Sequence, residues 1–290
     1  MGFEPGLSFR FWGVRGSIAT PGPQTVRYGG NTACVEVRAA DRLVVLDGGT
    51  GLRCLGEALE ADGPPGGGGA GPIDADLFLS HLHWDHIQGI PFFRPAFQPG
   101  NRFRVHGERK GDRTLRAMLE GQMTDPNFPV PLSIMGSAIT FHEIVAGDRV
   151  QLGPVTVRTA PMNHPNGCLG LRIEHAGRSF VFCTDTEHPG DGSLDAQVPA
   201  LAAGADVLVY DAMFTEAEYR AGKVGWGHST FEEALRVARA AGVRQLVLYH
   251  HDPSHDDAFL DARLAEARAQ TAGEALEVHM ATEGQLHRLP

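Results

Sequence analysis

The stretch SHLHWDH, residues 80–86, places three histidines and an aspartate within seven positions. It follows an apolar run that is typical of a strand. If the chain stays extended, His81 and His83 project to one side, because strand side chains alternate. Asp85 and His86 then lie on the following turn and can face a second centre. The segment therefore indicates a site for two metal ions rather than a single structural zinc site, because a structural zinc ion is usually enclosed by four ligands that are rich in cysteine.

Composition narrows the classes of protein that the chain can belong to. The four cysteines are scattered without a CxxC pair, which argues against a zinc ribbon and gives no sign of a disulfide framework. The amino terminus lacks a signal peptide pattern, and no apolar run approaches the roughly 18 residues of a membrane span. The sequence therefore predicts a soluble protein in the reducing cytoplasm, with no membrane partner.

The charge of the chain bears on its substrate. The net charge is −10, and the only lysines are Lys110 and Lys223. Proteins that bind long nucleic acids usually present a basic face, because phosphate contacts dominate their affinity. We therefore expect a small substrate rather than extended RNA or DNA, although a local arginine patch remains compatible with the sequence.

Short β-branched and aromatic runs alternate with helical patterns along the chain. The runs predict strands at 7–14, 33–39, 42–47, 75–80, 155–160, 169–175, 179–185, 206–211, 245–250 and 276–281. Helices are predicted at 51–61, 229–242 and 256–273, the second capped by Ser229 or Thr230 and ended by Gly242. The Gly-rich segment 62–72 is expected to be a flexible loop, and the irregular segment 108–145 either a lid over a pocket or a plain connection.

Three further metal-seeking residues follow apolar strands. His164 lies in PMNHP, Asp185 in FCTDT and His250 in LYHHD. Each would lie at one edge of the sheet, where active groups on a rigid scaffold are commonly found. Strand alternation allows only one of His250 and His251 to face the centre, and the residues alone leave that choice open.

Six motifs in this order resemble the metallo-β-lactamase-fold superfamily: DGGTG (47–51), HLHWDH (81–86), NHP (163–165), TDT (184–186), GHST (227–230) and YHH (249–251). The GHST element is similar to that of the tRNase Z and cyclic-phosphodiester hydrolase branch. The opening FWGVRGSIATPGPQTVRYGGNTACVEV (11–37) resembles phosphoribosyl cyclic phosphodiesterase-like hydrolases. GHST is also an ordinary helix N-cap sequence, so its functional interpretation depends on the presence of all six motifs.

The resemblance implies an α/β fold, a four-layer αββα sandwich of two mixed β-sheets with outer helices, as a single domain over residues 1–290. It implies that one metal is held by His81, His83 and His164, and a second by Asp85, His86 and His250, the family pattern favouring His250 over His251. Asp185 would bridge both metals. Asp47 would steer a ligand histidine or simply shape a glycine turn, and a homodimer is expected by resemblance only.

The expected activity is hydrolysis. Two divalent cations, Zn²⁺ first with Mn²⁺ or Fe²⁺ as alternatives, would share a metal-bound hydroxide that attacks a small or cyclic phosphodiester. The catalytic residues are expected to be His228, as proton donor to the leaving oxygen, and Asp85. The alternatives are a tRNA 3′-processing nuclease and a hydrolase of carboxylic esters, lactones or β-lactams. A metal-binding scaffold without activity is disfavoured because the ligand set is complete.

Overall fold

The computed structural model describes residues 6–62 and 71–289. Most of the predicted Gly-rich loop at 62–72 therefore lies outside the described residues. The first seven-stranded sheet contains β1 (Leu7–Gly13), β2 (Cys34–Ala39), β3 (Arg42–Leu46), β4 (Asp74–Phe78), β5 (Arg102–Gly107), β6 (Ala138–Glu143) and β14 (Leu286–Leu289). The second contains β7 (Arg149–Leu152), β8 (Val155–Met162), β9 (Cys168–His175), β10 (Arg178–Cys183), β11 (Val207–Asp211), β12 (Gln245–Tyr249) and β13 (Glu277–Met280).

Both sheets are mixed and share one pattern of strand directions. The first has the order β14-β1-β2-β3-β4-β5-β6, antiparallel up to the β2–β3 pair and parallel from β3 onward. The second has the order β7-β8-β9-β10-β11-β12-β13, antiparallel up to the β9–β10 pair and parallel from β10 onward. The carboxyl ends of each parallel set therefore meet at one edge of their sheet.

The described residues form seven α-helices. They are α1 (Gly51–Asp62), α2 (Trp84–Ile87), α3 (Leu115–Gln122), α4 (Gln197–Ala202), α5 (Glu216–Arg220), α6 (Phe231–Ala241) and α7 (Asp257–Gln270). Apolar residues of α1 and α3 pack on the first sheet, and those of α4, α6 and α7 pack on the second. The predicted αββα sandwich of two mixed sheets is confirmed.

A third apolar core joins the inner faces of the two sheets. Phe9 of β1 meets Phe180 of β10 with ring centroids 4.7 Å apart, and both are fully buried. Burying such a side chain contributes about 1.5–3 kcal/mol, so this layer holds the two halves of the site together.

The two long helices of the second half begin and end as their sequences indicate. The Thr230 hydroxyl, rather than that of Ser229, accepts from the Glu233 amide and caps α6. Gly242 ends that helix in the left-handed conformation, where glycine has no Cβ penalty. The Asp256 carboxylate caps α7 by accepting from the Phe259 amide.

The segment 108–145 is more regular than its sequence indicates. It contains α3, a 3-10 turn at Leu132–Ile134 and strand β6, which pairs with β5. Leu115 and Leu119 of α3 are buried against the first sheet. Its role as a lid stays a prediction. Within 6–62 and 71–289, none of the helices combines the length and apolar character needed to cross a bilayer.

Candidate metal centre

Three residues of the candidate site lie just beyond the ends of strands in an uncommon backbone conformation. Asp47 follows β3 with φ +62°, Asp185 lies two residues beyond β10 with φ +49°, and His250 follows β12 with φ +64°. Positive φ is rare for residues other than glycine and tends to cluster at functional sites. At the edge of each sheet where the parallel strands end, these backbone turns direct polar side chains into the space between the sheets.

The first group of ligand atoms comes from His81, His83 and His164. Their nitrogen atoms all lie within 4.8 Å of one another. His83 Nδ1 is 3.0 Å from His164 Nε2. The buried His81 Nε2 has no hydrogen-bond partner among the described residues. A buried polar atom without a partner is costly, so this nitrogen is placed to bind something that the protein chain itself does not supply.

The second group combines Asp85, His86, Asp185 and His250. One ligand atom from each lies within 4.8 Å of all the others, and all four residues are buried. His86 Nε2 is 3.2 Å from Asp85 Oδ2, and His250 Nε2 is 3.3 Å from the same oxygen. The Ser17 amide also donates to Asp85 Oδ2, at 2.8 Å, which fixes that carboxylate.

The carboxylate of Asp185 lies between the two groups. Its Oδ1 atom is 3.3 Å from His86 Nε2 and 3.2 Å from His250 Nε2. Its Oδ2 atom is 3.7 Å from both His81 Nε2 and His164 Nε2. One oxygen therefore faces each group, which is the arrangement expected of a bridging ligand.

Two of the histidines are held from behind by an acceptor at Nδ1. His86 Nδ1 lies 2.8 Å from Asp47 Oδ2, and His164 Nδ1 lies 2.8 Å from the Gly227 carbonyl. With the Nδ1–H donated, the Nε2 lone pair of each ring points into the cluster, an arrangement typical of metal-binding histidines. Asp47 also accepts from the amide and hydroxyl of Ser80, so it does more than shape the glycine turn.

Glycine is required where the Asp47 loop meets the cluster. A Cβ atom at Gly49 would lie 2.2 Å from the Asp85 carbonyl oxygen. The DGGTG turn can therefore pack against the HLHWDH segment only without a side chain at this position.

Electrostatics keep most of these groups in the forms that bind a cation. Burial lowers the pKa of His81 well below its usual value and lowers that of His164 as well. For Asp185, burial alone would raise the pKa, but His250 and His86 outweigh it and hold the pKa well below its usual range. Neutral imidazoles and ionised carboxylates are the ligand forms that metals require.

The donor set fits divalent cations. Asp47, Asp85 and Asp185 place three buried carboxylates around His86, and buried negative charge is costly unless it is paired. Bound cations would supply the missing positive charge and the missing partner of His81 Nε2. Imidazole and carboxylate ligands suit Zn²⁺, Mn²⁺ and Fe²⁺.

The structure separates His250 from its neighbour His251. His250 Nε2 lies in the cluster, whereas His251 Nε2 lies 3.0 Å from the Ala281 carbonyl oxygen. Both side chains are buried. The turn of the chain at His250 therefore directs only the first of the pair toward the candidate ligands.

His228 lies beside the cluster and has a partner that the sequence reasoning missed. Its Nδ1 atom is 2.8 Å from Asp211 Oδ2 and 3.9 Å from Asp185 Oδ2. Burial alone would lower the pKa of His228, but the Asp211 carboxylate outweighs burial and raises it to about 9. Asp211 ends an apolar strand, as Asp47 and Asp185 do, and that shared pattern could have identified it.

A second missed residue is Glu187, two positions after Asp185. Its buried carboxylate accepts from the Gly225 amide at 2.7 Å, the Gly227 amide at 2.8 Å and the Tyr219 hydroxyl at 2.7 Å. It therefore holds the loop that leads into His228. No spacing in the sequence indicates these contacts.

Three further residues with side chains that can bind metals have ordinary structural roles. Asp256 caps α7, and His255 Nε2 lies 2.9 Å from a carboxylate oxygen of Glu218. Cys183 is buried in the apolar core between the second sheet and its helices. None of the three joins a group of candidate ligands within the described residues.

Comparisons with known proteins identify the family of the chain. A family model described as a β-lactamase superfamily domain matches residues 42–251. A protein named ribonuclease Z from Mycobacterium sp. (strain KMS) is 31% identical over 251 residues, which cover 81% of each chain. Among solved structures, the metallo-β-lactamase fold protein YhfI from Bacillus subtilis has a TM-score of 0.71 at 19% identity, with 99% of this chain and 100% of that chain covered.

The short form of human tRNase Z has the same fold. Its TM-score is 0.65 at 19% identity, and the match covers 98% of this chain and 99% of that chain. The family model and the 31% identity to a ribonuclease Z confirm the resemblance to the phosphodiesterase branch of the superfamily. The chain belongs to the β-lactamase superfamily and is a metal-dependent hydrolase of that fold.

Proposed function

We propose that the protein is a metal-dependent phosphodiesterase that hydrolyses small or cyclic phosphodiesters. The observation that carries this proposal is the position of Asp185, with one carboxylate oxygen toward each group of ligand atoms and the His228–Asp211 pair beside it. A centre with two cations and an adjacent proton donor suits the in-line displacement of a phosphoester oxygen.

The proposed ligand sets follow the two groups. His81, His83 and His164 would hold one divalent cation, while Asp85, His86 and His250 would hold the other, with Asp185 shared. Zn²⁺ is the first candidate, and Mn²⁺ and Fe²⁺ are alternatives. When bound, such cations lower the pKa of coordinated water and offset negative charge on a phosphoryl group.

His228 is proposed to supply the proton for the leaving group. Asp211 fixes the ring through Nδ1, and Nε2 makes no hydrogen bond within the described part of the chain. Nε2 can therefore donate its proton to the ester oxygen as the P–O bond breaks. Asp85, held by the Ser17 amide, is proposed as the carboxylate that accepts the proton of the attacking water.

A second candidate is cleavage of RNA, as in tRNA 3′ processing. The name of the mycobacterial relative favours it, and so does one surface feature. Arg149, Arg158 and Arg172 lie opposite one another on β7, β8 and β9. Arg172 is paired with Glu174 at 2.8 Å, whereas Arg149 and Arg158 make no ion pair within the described residues. A phosphate backbone beside those two arginines would relieve their mutual repulsion.

The small substrate remains the first candidate for two reasons. The net charge of −10 opposes the binding of a long polyanion. The sequence contains only two lysines, Lys110 and Lys223, whereas a segment that binds an RNA body would need a cluster of basic residues. Carboxylic esters and lactams would need an attack on carbon, and the Asn163-His164-Pro165 and GHST motifs resemble the phosphodiester-hydrolysing branch instead.

The experiment compares substrates on metal-loaded protein. Bis(p-nitrophenyl) phosphate and a 2′,3′-cyclic nucleotide should both be hydrolysed, and Asp185→Asn should abolish both activities. A transfer RNA precursor with a 3′ trailer should be a poor substrate. Efficient cleavage of that precursor, lost in the double variant Arg149→Glu/Arg158→Glu, would replace the first candidate with the second. Activity confined to lactones or β-lactams would exclude both.

A further inference from the structure

Several exposed apolar side chains of the described residues lie close to the candidate metal centre. Of ten exposed large apolar side chains, four belong to segments that contact the cluster: Ile18, Trp84, Val224 and Trp226. Trp84 lies between His83 and Asp85 and is 76% exposed, and Trp226 is 55% exposed. An exposed indole loses the large favourable free energy that its burial would contribute. Two exposed tryptophans beside one site therefore indicate a binding surface.

The loop that carries Trp226 is fixed to the cluster at several points. The Gly227 carbonyl oxygen lies 2.8 Å from His164 Nδ1, and the Glu187 carboxylate binds the amides of Gly225 and Gly227. Gly227 has φ +84°, and a Cβ there would lie 2.2 Å from His164 Nδ1. Trp226 is therefore presented at a fixed place on the rim of the site, as a preorganised contact should be.

Lys223 places a cation on the same loop. Its ammonium nitrogen lies 3.8 Å from the centroid of the Trp226 ring and 5.3 Å from that of Phe214. It is one of only two lysines in the sequence, and the other, Lys110, is paired with Glu108 at 2.6 Å. Lys223 makes no ion pair within residues 6–62 and 71–289. Its ammonium covers one face of the Trp226 ring, so a ligand ring has only the opposite face on which to stack.

We propose that Trp226, Lys223 and Trp84 form a subsite for the base of a nucleoside-type phosphodiester. This inference rests on the proposed function and narrows its substrate class from any small phosphodiester to one that bears a planar aromatic ring. The ring stacks on the face of the Trp226 indole opposite Lys223, and the Lys223 ammonium offsets charge on a phosphate oxygen. Stacking on an aromatic side chain tolerates any base, so the subsite selects for the presence of a base rather than its identity.

The experiment measures a specificity ratio on metal-loaded protein. Values of kcat/KM are determined for 2′,3′-cyclic AMP and for the base-free methyl ribofuranoside 2,3-cyclic phosphate. Trp226→Ala should lower the ratio of the two values by about 5- to 150-fold, through KM, and Trp226→Phe should keep it within about threefold. Leu286→Ala, an exposed apolar residue on edge strand β14, is the control that should leave both values unchanged.

A binding measurement separates this inference from the proposed function. AMP should quench the tryptophan fluorescence of the wild-type protein, and Trp226→Ala should lose most of that signal. Quenching without hydrolysis of either diester would support the subsite and overturn the phosphodiesterase. Hydrolysis with an unchanged ratio in Trp226→Ala would overturn the subsite and leave the phosphodiesterase standing. Absence of both quenching and hydrolysis would overturn both.

Discussion

The Nδ1 atom of His228 lies 2.8 Å from the Oδ2 atom of Asp211, and both side chains are buried beside the candidate metal ligands. The pair has the geometry of a proton donor held in one orientation. A general acid typically contributes about 10²–10⁴ in rate. We expect His228→Ala to lower kcat by that factor on a dialkyl or cyclic phosphodiester, because an alkoxide leaves poorly without a proton.

The leaving group provides the control for this prediction. p-Nitrophenolate departs without protonation, so His228→Ala should lose far less rate on bis(p-nitrophenyl) phosphate. Asp211→Asn should show the same difference in rate loss between the two substrates, but a smaller one. Both variants should keep their metal content. An equal loss on the two substrates would show that His228 does not act as the acid.

Asp47 is expected to strengthen metal binding through His86. Its Oδ2 atom lies 2.8 Å from His86 Nδ1, and removing such a partner typically costs 10–100-fold in metal affinity. Asp47→Asn should therefore raise the dissociation constant for Zn²⁺ by about that factor. Competition with a chromophoric chelator measures it. Asp76→Asn removes a different buried carboxylate, paired with His106 and Arg104, and should leave the zinc affinity unchanged.

Glu187 is expected to hold the loop before His228 in place. A glutamine at this position would turn an NH₂ group toward one of three donors: the Tyr219 hydroxyl or the amides of Gly225 and Gly227. The loss of one hydrogen bond to a charged group costs about 1.5–3 kcal/mol. Glu187→Gln should accelerate amide exchange in peptides that cover 222–228 by about 10–150-fold. Unchanged exchange in those peptides would contradict this role.

The stability contributed by Asp76 should depend on pH. Burial alone would raise its pKa, but hydrogen bonds from His106 and Arg104 outweigh burial and hold the pKa below its usual value. Because the folded-state pKa is depressed, the contribution is present above the unfolded pKa of about 3.9 and is lost as pH falls through the folded value. Asp76→Asn should cost about 1.5–3 kcal/mol at pH 7.

Urea unfolding at two pH values tests the sign of that effect. The difference in unfolding free energy between Asp76→Asn and wild type should shrink from pH 7 to pH 3. A difference that stays constant or grows toward acid would contradict the assigned pKa shift.

The sequence was sufficient for the strands that carry the site and insufficient for four others, three of which are edge strands. All ten predicted strands are present, and their observed ends lie within two residues of the predicted ends, because their apolar runs are long and buried. The missed strands are β5, β6, β7 and β14, in which charged or polar residues interrupt the apolar pattern, as in RFRVHG and LHRL. The pairing of β14 with β1 joins the two ends of the chain, which no local pattern encodes.

The candidate ligands were predictable because each follows a strand whose end lies at the same edge. Short helices such as α2 and α5 have too few residues to show a period. Glu187 was missed because its partners lie 32 to 40 residues away in a loop without a motif. The choice between His250 and His251 depended on a backbone turn with φ +64°, which strand alternation does not reveal.

Seven side chains, with Asp185 shared, are proposed to hold two cations. The metal content of protein dialysed against Zn²⁺, measured by inductively coupled plasma mass spectrometry, tests this proposal. Wild type should retain two ions per chain, Asp185→Ala should retain fewer, and His251→Gln, whose Nε2 faces the Ala281 carbonyl, should still retain two. A wild-type protein that retains at most one ion, or an Asp185→Ala protein that still retains two, would contradict the account.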